Sequence, residues 1–460
     1  MRKIFLLVVI FLVSYAKAYS AKEESIEYYI KLAREHYPLS HNTQLLDNAL
    51  TLTLKELNTH FIPQLRLSGK LSYQSEVTTL PFDSLPSAFS FDYKPLSKDQ
   101  YQFVLEVSQP LLDMAHFVKK DMTKAQIATQ KEDVALSLYQ INQSVIEYFF
   151  ALLLLNEQIN QNKLHIKELS KNLRNLEILY KNGAMTKEAL NKIHIEILNT
   201  QKIAEELQSQ KEIALHSLCS LTAHQVSENP LVPNFDEQKA FLQSVQHYLY
   251  TKAHSVEDRE SSNLAIRELR ESGQAIFTYR PENMYFMAKE REMQTQKKLE
   301  RAKIFPYIDL FVQGGYGNPS LNFLRGEAAP YYIAGVRLSW DLSNLYSISQ
   351  HNELIHNQIL RLGSQREAFI LKSQIALNKH IKNANNLLAQ MQDDEQIVAL
   401  REKILQSQEA KLKQGVLSIN DFITDINNLN LARLQQNYTK IEFLMQIYHI
   451  KQILNVWQYE

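Results

Sequence analysis

The sequence predicts a mainly α-helical chain with a small β part: long antiparallel coiled-coil helical hairpins plus four amphipathic strands. Three observations carry this expectation. Two long tracts are nearly free of helix breakers, two closely similar turn sequences end those tracts, and four short stretches alternate apolar with polar residues. Only 10 of the 460 residues are glycine and 12 are proline, and both are clustered.

The chain opens on Arg2 and Lys3, an apolar run from Ile4 to Val13, and small residues from Ala16 to Ala18. This is the pattern of a secretory signal peptide, residues 1–18, with the mature chain starting near Tyr19. The run is too short to span a bilayer, which takes about 20 helical residues. No cysteine lies near the cleavage point, so an acylated N-terminus is not expected. Cys219 is the only cysteine and is read as a buried small apolar residue.

Pro38 and Pro63 enclose a helical segment. The stretch 65–74 then sets Leu65, Leu67, Leu71 and Tyr73 against Arg66, Ser68, Lys70 and Ser72, a strand with one apolar and one polar face. A partner at 101–109 sets Tyr101, Phe103, Leu105 and Val107 against Gln102, Glu106 and Ser108. From Met114 to Asn182 there is neither glycine nor proline, which permits one helix of roughly 100 Å. Ile159, Ile166, Leu169, Leu173, Leu176 and Tyr180 give it a coiled-coil seam. "KNGAMTKEAL", Lys181 to Leu190, interrupts the pattern, and a shorter periodic segment returns to about Leu221.

The same order recurs. Pro281 and Pro306 enclose a helical segment with the spacing of Pro38 and Pro63. Strands follow at 307–317, with Ile308, Leu310, Val312 and Tyr316 on one face, and at 331–340, with Tyr332, Ala334, Val336, Leu338 and Trp340 on one face. A second tract, from about Tyr346 to Gln414, contains only Gly363 as a breaker and carries the seam Ile381, Ala384, Leu388, Met391, Val398, Leu405 and Leu412. "KQGVLSINDF", Lys413 to Phe422, ends it, and a return runs to about Trp457. An internal repeat, 19–240 and 241–460, explains the duplicated turn as the tips of two helical hairpins, near 183 and 415. The halves differ mainly in the loop between paired strands, 75–100 against 318–330.

Aromatic residues near the strand ends, Tyr73, Tyr101, Tyr316, Tyr332 and Trp340, match the girdles of an outer-membrane barrel. Leu67, Phe103, Leu310 and Leu338 are then the candidate lipid-facing residues. An ordinary sheet packed on helices would show the same alternation, so periodicity alone leaves both open. Four strands cannot close a barrel. Two chains would supply eight strands, whose interior side chains nearly fill, and three would supply twelve, enough to leave a passage. A shared trimeric 12-stranded barrel, and so a homotrimer in outer-membrane lipid, is the expectation.

Composition excludes other classes. Fifty basic and fifty acidic residues cancel, so no overall field draws nucleic acid. The chain has no HExxH, no paired-cysteine metal site, no phosphate-binding glycine loop and no nucleophile elbow. His351 and His356 miss the four-residue step that aligns two ligands on a helix. No catalysis, cofactor or metal is therefore expected.

With the signal, the doubled order of elements and "KQGVLSINDFITDINNLNLARLQ" in view, the mature chain resembles the TolC family of outer-membrane efflux channels. The resemblance implies a trimeric channel-tunnel with a large periplasmic helical part. It would be the exit duct of a tripartite efflux or type I secretion system, driven by an inner-membrane transporter through a periplasmic adaptor. The alternative class is a soluble periplasmic coiled-coil scaffold or adaptor with its strands buried in protein.

The tips carry the candidate site residues. Gly183 and Gly415 are expected to end helices in the left-handed conformation. Ala184, Met185, Val416 and Leu417 are apolar at tips expected to be exposed, and so are candidates for adaptor contact or for hairpin packing. Asp421, Asp425 and Glu188 are the candidate acids of the periplasmic aperture, since threefold symmetry would gather the two aspartates into a ring of six. Ser418 to Asp421 also reads as a capping box, an ordinary explanation for Asp421. The tips depart from the resemblance: Leu417 stands where a basic residue is common, and Ala189 and Thr424 stand where acids are.

Overall fold

The computed structural model describes residues 25–78, 96–183, 185–254, 277–322, 326–414, 416 and 418–457. The chain order is α1 (Ile26–His36), a 3-10 turn (Pro38–His41), α2 (Asn42–Thr59), β1 (Gln64–Tyr73), β2 (Asp99–Leu112), α3 (Met114–Lys181), α4 (Lys187–Thr222), α5 (Phe235–His254), α6 (Pro281–Ala302), β3 (Tyr307–Asn318), β4 (Ala329–Ser339), α7 (Asn344–Lys413) and α8 (Ile419–Leu454). The expected signal peptide lies outside the described residues.

The long tracts are continuous helices. α3 has 68 residues and α7 has 70, and α7 runs unbroken through Gly363, where a Cβ would meet nothing within 4 Å. A glycine costs a helix roughly 1 kcal/mol, too little to interrupt one held by its seam. Of the expected seam, Ile159, Leu169, Leu176, Ala384, Leu405 and Leu412 are buried, Ile166, Leu173, Ile381, Leu388, Met391 and Val398 are half-buried, and Tyr180 is exposed near the end of its helix.

The chain divides into two compact units. The helical unit takes in Glu132–Tyr285 and Gln365–Glu460 together with α1. Its larger core gathers Tyr29 and Ile30 of α1, Val145, Ile146, Phe149 and Phe150 of α3, Leu218 of α4, and Phe443, Leu444 and Ile447 of α8. α3 is the one described helix long and apolar enough to cross a membrane. Those four α3 side chains are already covered by protein. Cys219 is half-buried against this core, where the Val226 N–H donates to its sulfur (3.4 Å).

The sheet unit takes in Thr43–Lys131 and Phe286–Ser364. Its four strands form an antiparallel meander in chain order, so β2 and β3 are central and β1 and β4 are edges. The strands fall within a few residues of their expected bounds. β2 is the longest, extended past the expected Gln109 to Leu112 across a register shift at Pro110, whose missing N–H disturbs the ladder there.

Candidate functional site

The sheet sorts its side chains by face. Leu67 lies opposite Leu105, Leu105 opposite Gly314, and Gly314 opposite Tyr332. The period of two then places Leu65, Phe103, Val107, Leu310, Val312, Val336 and Leu338 on that same face. All four candidate lipid-facing residues are therefore together, and the face is bare: Leu67 is 77 % exposed, and Phe103, Leu310 and Leu338 are exposed as well. Phe103 lies across Gly69 of β1, where an added Cβ would come within 3.1 Å of the ring, so an aromatic covers the gap that glycine leaves.

The opposite face is polar. Arg66 faces Glu106, and Glu106 faces Gln313. The Arg337 guanidinium donates to Glu106 (2.8 Å), reaches Asp309 at 3.8 Å and sits over the Phe311 ring (4.6 Å). Gln102 donates to the Tyr331 hydroxyl. An ordinary amphipathic sheet buries its apolar face and wets the other. Here the apolar side is the open one, and charge is paired on the other.

At the first tip Gly183 has φ +74°, the left-handed conformation expected of it, and its N–H donates to the Tyr180 carbonyl (2.9 Å). Three residues on, Thr186 caps α4 by accepting from the Ala189 N–H (3.4 Å). At the second tip the Val416 N–H returns to the Lys411 carbonyl (3.1 Å), the long closing bond of a Schellman ending, and Ser418 caps α8 by accepting from Asn420 N–H (3.2 Å). Ala184, Gly415 and Leu417 lie outside the described residues. Val416 is 77 % exposed. Met185, expected at an exposed tip, is half-buried instead, because it packs on a second apolar cluster.

That cluster draws on four helices: Leu169 and Leu176 of α3, Ile193 and Ile197 of α4, Leu405 and Leu412 of α7, and Phe422, Ile426 and Leu429 of α8. The two hairpins thus pack on each other toward their tips, which no pattern within either hairpin announces. Polar contacts follow the same seam. Asn427 donates to Glu196 (2.8 Å), and Arg433 donates to Glu402 (2.7 Å) and lies 3.8 Å from Glu168. Burial pushes the Glu168 carboxyl above its usual range, with Arg433 opposing. Burial likewise keeps the His165 imidazole more easily neutral than usual. Sequence reasoning missed this network. Its one visible signal was charge beside seam positions, as in Glu168 next to Leu169.

The three candidate aperture acids differ in commitment. Glu188 is exposed and paired with Lys192 (2.7 Å), which holds its carboxyl below the usual range. Asp425 is half-buried and accepts from the Gln408 side chain (3.1 Å). Asp421 is exposed and makes no side-chain hydrogen bond among the described residues. The capping box is only half formed: Ser418 caps, but Asp421 does not reach back to it. The cap accounts for Ser418 and leaves Asp421 unexplained.

No family model matches the chain, and no curated protein sequence matches it significantly. Solved structures do. The chain is similar to CusC, described in connection with transmembrane channel formation, at a TM-score of 0.67 and 12 % identity over 93 % of this chain and 91 % of that one. It is similar to the outer membrane protein VceC of Vibrio cholerae at 0.63 and 14 %, over 93 % and 95 %. It is similar to the CmeC outer membrane channel of Campylobacter jejuni at 0.64 and 14 %, over 96 % and 88 %. Over nearly its whole length, this chain has the fold of those outer-membrane channel proteins, the fold that its resemblance to the TolC family implied.

Proposed function

We propose that three copies of this chain form an outer-membrane channel. Each copy would contribute four strands to a shared twelve-stranded barrel and two long hairpins to a periplasmic tunnel. One observation carries the reading: a four-stranded sheet with both edges unpaired among the described residues and an exposed face of Leu65, Leu67, Leu105, Val312, Tyr332, Val336 and Leu338. In water such a sheet is an aggregation site at its edges and across its face. Joining β1 of one copy to β4 of the next removes the edges, and lipid removes the exposed apolar area. The paired charges Arg337, Glu106 and Asp309 then line the interior.

The structures of like fold include proteins described as outer-membrane channels, which supports the location and the channel role. The partners belong to the same proposal: a periplasmic adaptor meeting the tips around Gly183, Ala184, Met185, Gly415, Val416 and Leu417, and an inner-membrane transporter driving tripartite efflux or type I secretion. Asp421, Asp425 and Glu188 would form the aperture, with Asp421 the freest of the three. A soluble periplasmic scaffold is the competing class, and it needs a protein cover for the apolar face.

The test is membrane fractionation followed by unheated gel electrophoresis. Recovery only with detergent, from the outer-membrane fraction, as a trimer that heat dissociates, is the expected result. A monomer soluble in the periplasmic fraction would refute the proposal.

A further inference from the structure

We propose that His60, Asp113 and His116 form a three-ligand site for a borderline divalent transition-metal ion of the zinc class. The three come from separate segments of the sheet unit. His60 follows α2 in the turn toward β1, Asp113 joins β2 to α3, and His116 stands in the first turn of α3. One donor atom from each lies within 4.8 Å of the others. Two imidazoles and a carboxylate are a donor set that zinc-class ions accept and that calcium and magnesium, which take oxygen, do not favour.

The local hydrogen bonds orient the donor atoms. Asp113 divides its carboxylate: Oδ1 accepts from the His116 N–H (2.9 Å), capping α3, and Oδ2 accepts from His60 Nε2 (3.0 Å), a bond that an ion would replace once the His60 hydrogen moves to Nδ1. His116 Nε2 lies 2.6 Å from the Leu57 carbonyl, which can only accept, so that nitrogen carries the hydrogen. The lone pair of the neutral ring is then on Nδ1. A backbone carbonyl that fixes the far nitrogen is the usual way a metal-binding histidine is oriented. Phe61 packs edge-on against both rings, at 5.4 Å and 5.2 Å, giving the site an apolar wall. The neighbouring Lys120 donates to Asn58 (2.7 Å) and lies over Phe61, so its charge is engaged beside the ligands. Side-chain exposures of 31 % for His60 and 19 % for Asp113 leave an entry path.

The fit requires little movement. Ligands about 2.0–2.1 Å from a tetrahedral zinc lie roughly 3.3 Å from one another. The two rings stack nearly parallel, at 4.0 Å and 15°, so one must turn to aim its lone pair at a shared point. His60, whose side chain is 31 % exposed while His116 is buried, is the one with room to turn, exchanging its Asp113 hydrogen bond for the ion. A fourth position remains for water.

A plain structural role for the trio is a capped, hydrogen-bonded corner between strand and helix. The molecule builds a second such corner without the two histidines. Between β4 and α7, Asn344 donates to the Lys303 carbonyl (3.4 Å) where Asp113 meets His60, and Trp340 donates to the Ile304 carbonyl (2.8 Å). Asp341 supplies a carboxylate there, accepting from the Ser343 N–H (3.0 Å), so such a corner uses a carboxylate but needs neither histidine. An ion here would tie the end of α2, the end of β2 and the start of α3 together.

The test uses the full-length chain, stripped with chelator and titrated with cobalt(II) by visible absorption, then with zinc(II) in competition. One cobalt per chain is expected, with the intense bands of a near-tetrahedral site, displaced by zinc. Affinity should fall at least tenfold in His60→Ala and in Asp113→Asn. The first variant leaves the cap and the His116–Leu57 bond in place; the second keeps a side-chain oxygen for the cap. Circular dichroism of both variants is the control, with the helical signal of the unaltered chain expected. Absence of the bands in the unaltered chain, or wild-type affinity in either variant, overturns the assignment.

Discussion

Leu67→Arg tests the barrel through a single side chain. Leu67 is 77 % exposed and faces Leu105, inside a face whose other members are almost all apolar. Were that face wet, a side chain so exposed would accept arginine with little effect, within about 0.5 kcal/mol. Were it in lipid near the midplane, arginine would cost about 2–4 kcal/mol, roughly a 30- to 700-fold change in the folding equilibrium. Ser68 is the control, because one residue along β1 the side chain points to the other face, in register with Val104. Arginine there is expected to be mild. Phe103, Leu310 and Leu338 should repeat the contrast, most weakly at Leu338, which is the residue next to the end of β4. The assay is denaturant unfolding of the chain folded into lipid vesicles, beside the yield of heat-sensitive trimer. Equal tolerance at Leu67 and Ser68 would refute the barrel.

Other outcomes follow from the helical unit. Val416→Glu, at an exposed tip position, and Leu417→Glu beside it should impair export while trimer and membrane insertion stay intact; normal export in both would remove the tips from adaptor contact. In a planar bilayer the channel should be cation-selective and blocked by trivalent cations from the periplasmic side. Asp425→Ala should weaken that block at a stability cost near 1 kcal/mol, the worth of its Gln408 hydrogen bond, and Asp421→Ala should weaken it with less penalty than a full capping box implies. A block that survives the loss of both acids would move the constriction elsewhere. Burial lowers the His449 pKa to about 4, with the His380 ring at 4.9 Å acting in the same direction and Glu147 opposing. The unfolded chain protonates near 6.5 and the folded chain only near 4, so the unfolded state binds more protons between those values. Stability should therefore drop by about 3 kcal/mol as pH falls through that window, and His449→Gln should flatten the drop in a thermal-melt series.

Period and punctuation made much of this protein legible in its sequence. A coiled-coil seam, a glycine and a hydroxyl cap are local devices. They act within a few residues of where they stand, so the long helices, the turns at Gly183 and Ser418 and the four strands could be read directly. Alternation also placed Leu67, Phe103, Leu310 and Leu338 on one face, because side-chain direction in a strand depends only on parity.

Whether that face is covered was not a local matter. The same alternation serves a sheet buried under helices, and only the tertiary structure leaves those leucines bare. Met185 shows the converse: an apolar residue beside a glycine turn reads as exposed until the cluster of Leu169, Ile193, Leu412 and Phe422 is assembled around it. The Arg433 network and the meeting of His60 with Asp113 and His116 belong to the same kind. They join residues far apart in the chain, and no spacing rule links such positions. Sequence by itself determined what each segment is, since propensity, parity and caps are short-range. Tertiary structure alone decided which segments meet, because burial and pairing depend on contacts the chain makes only once it has folded.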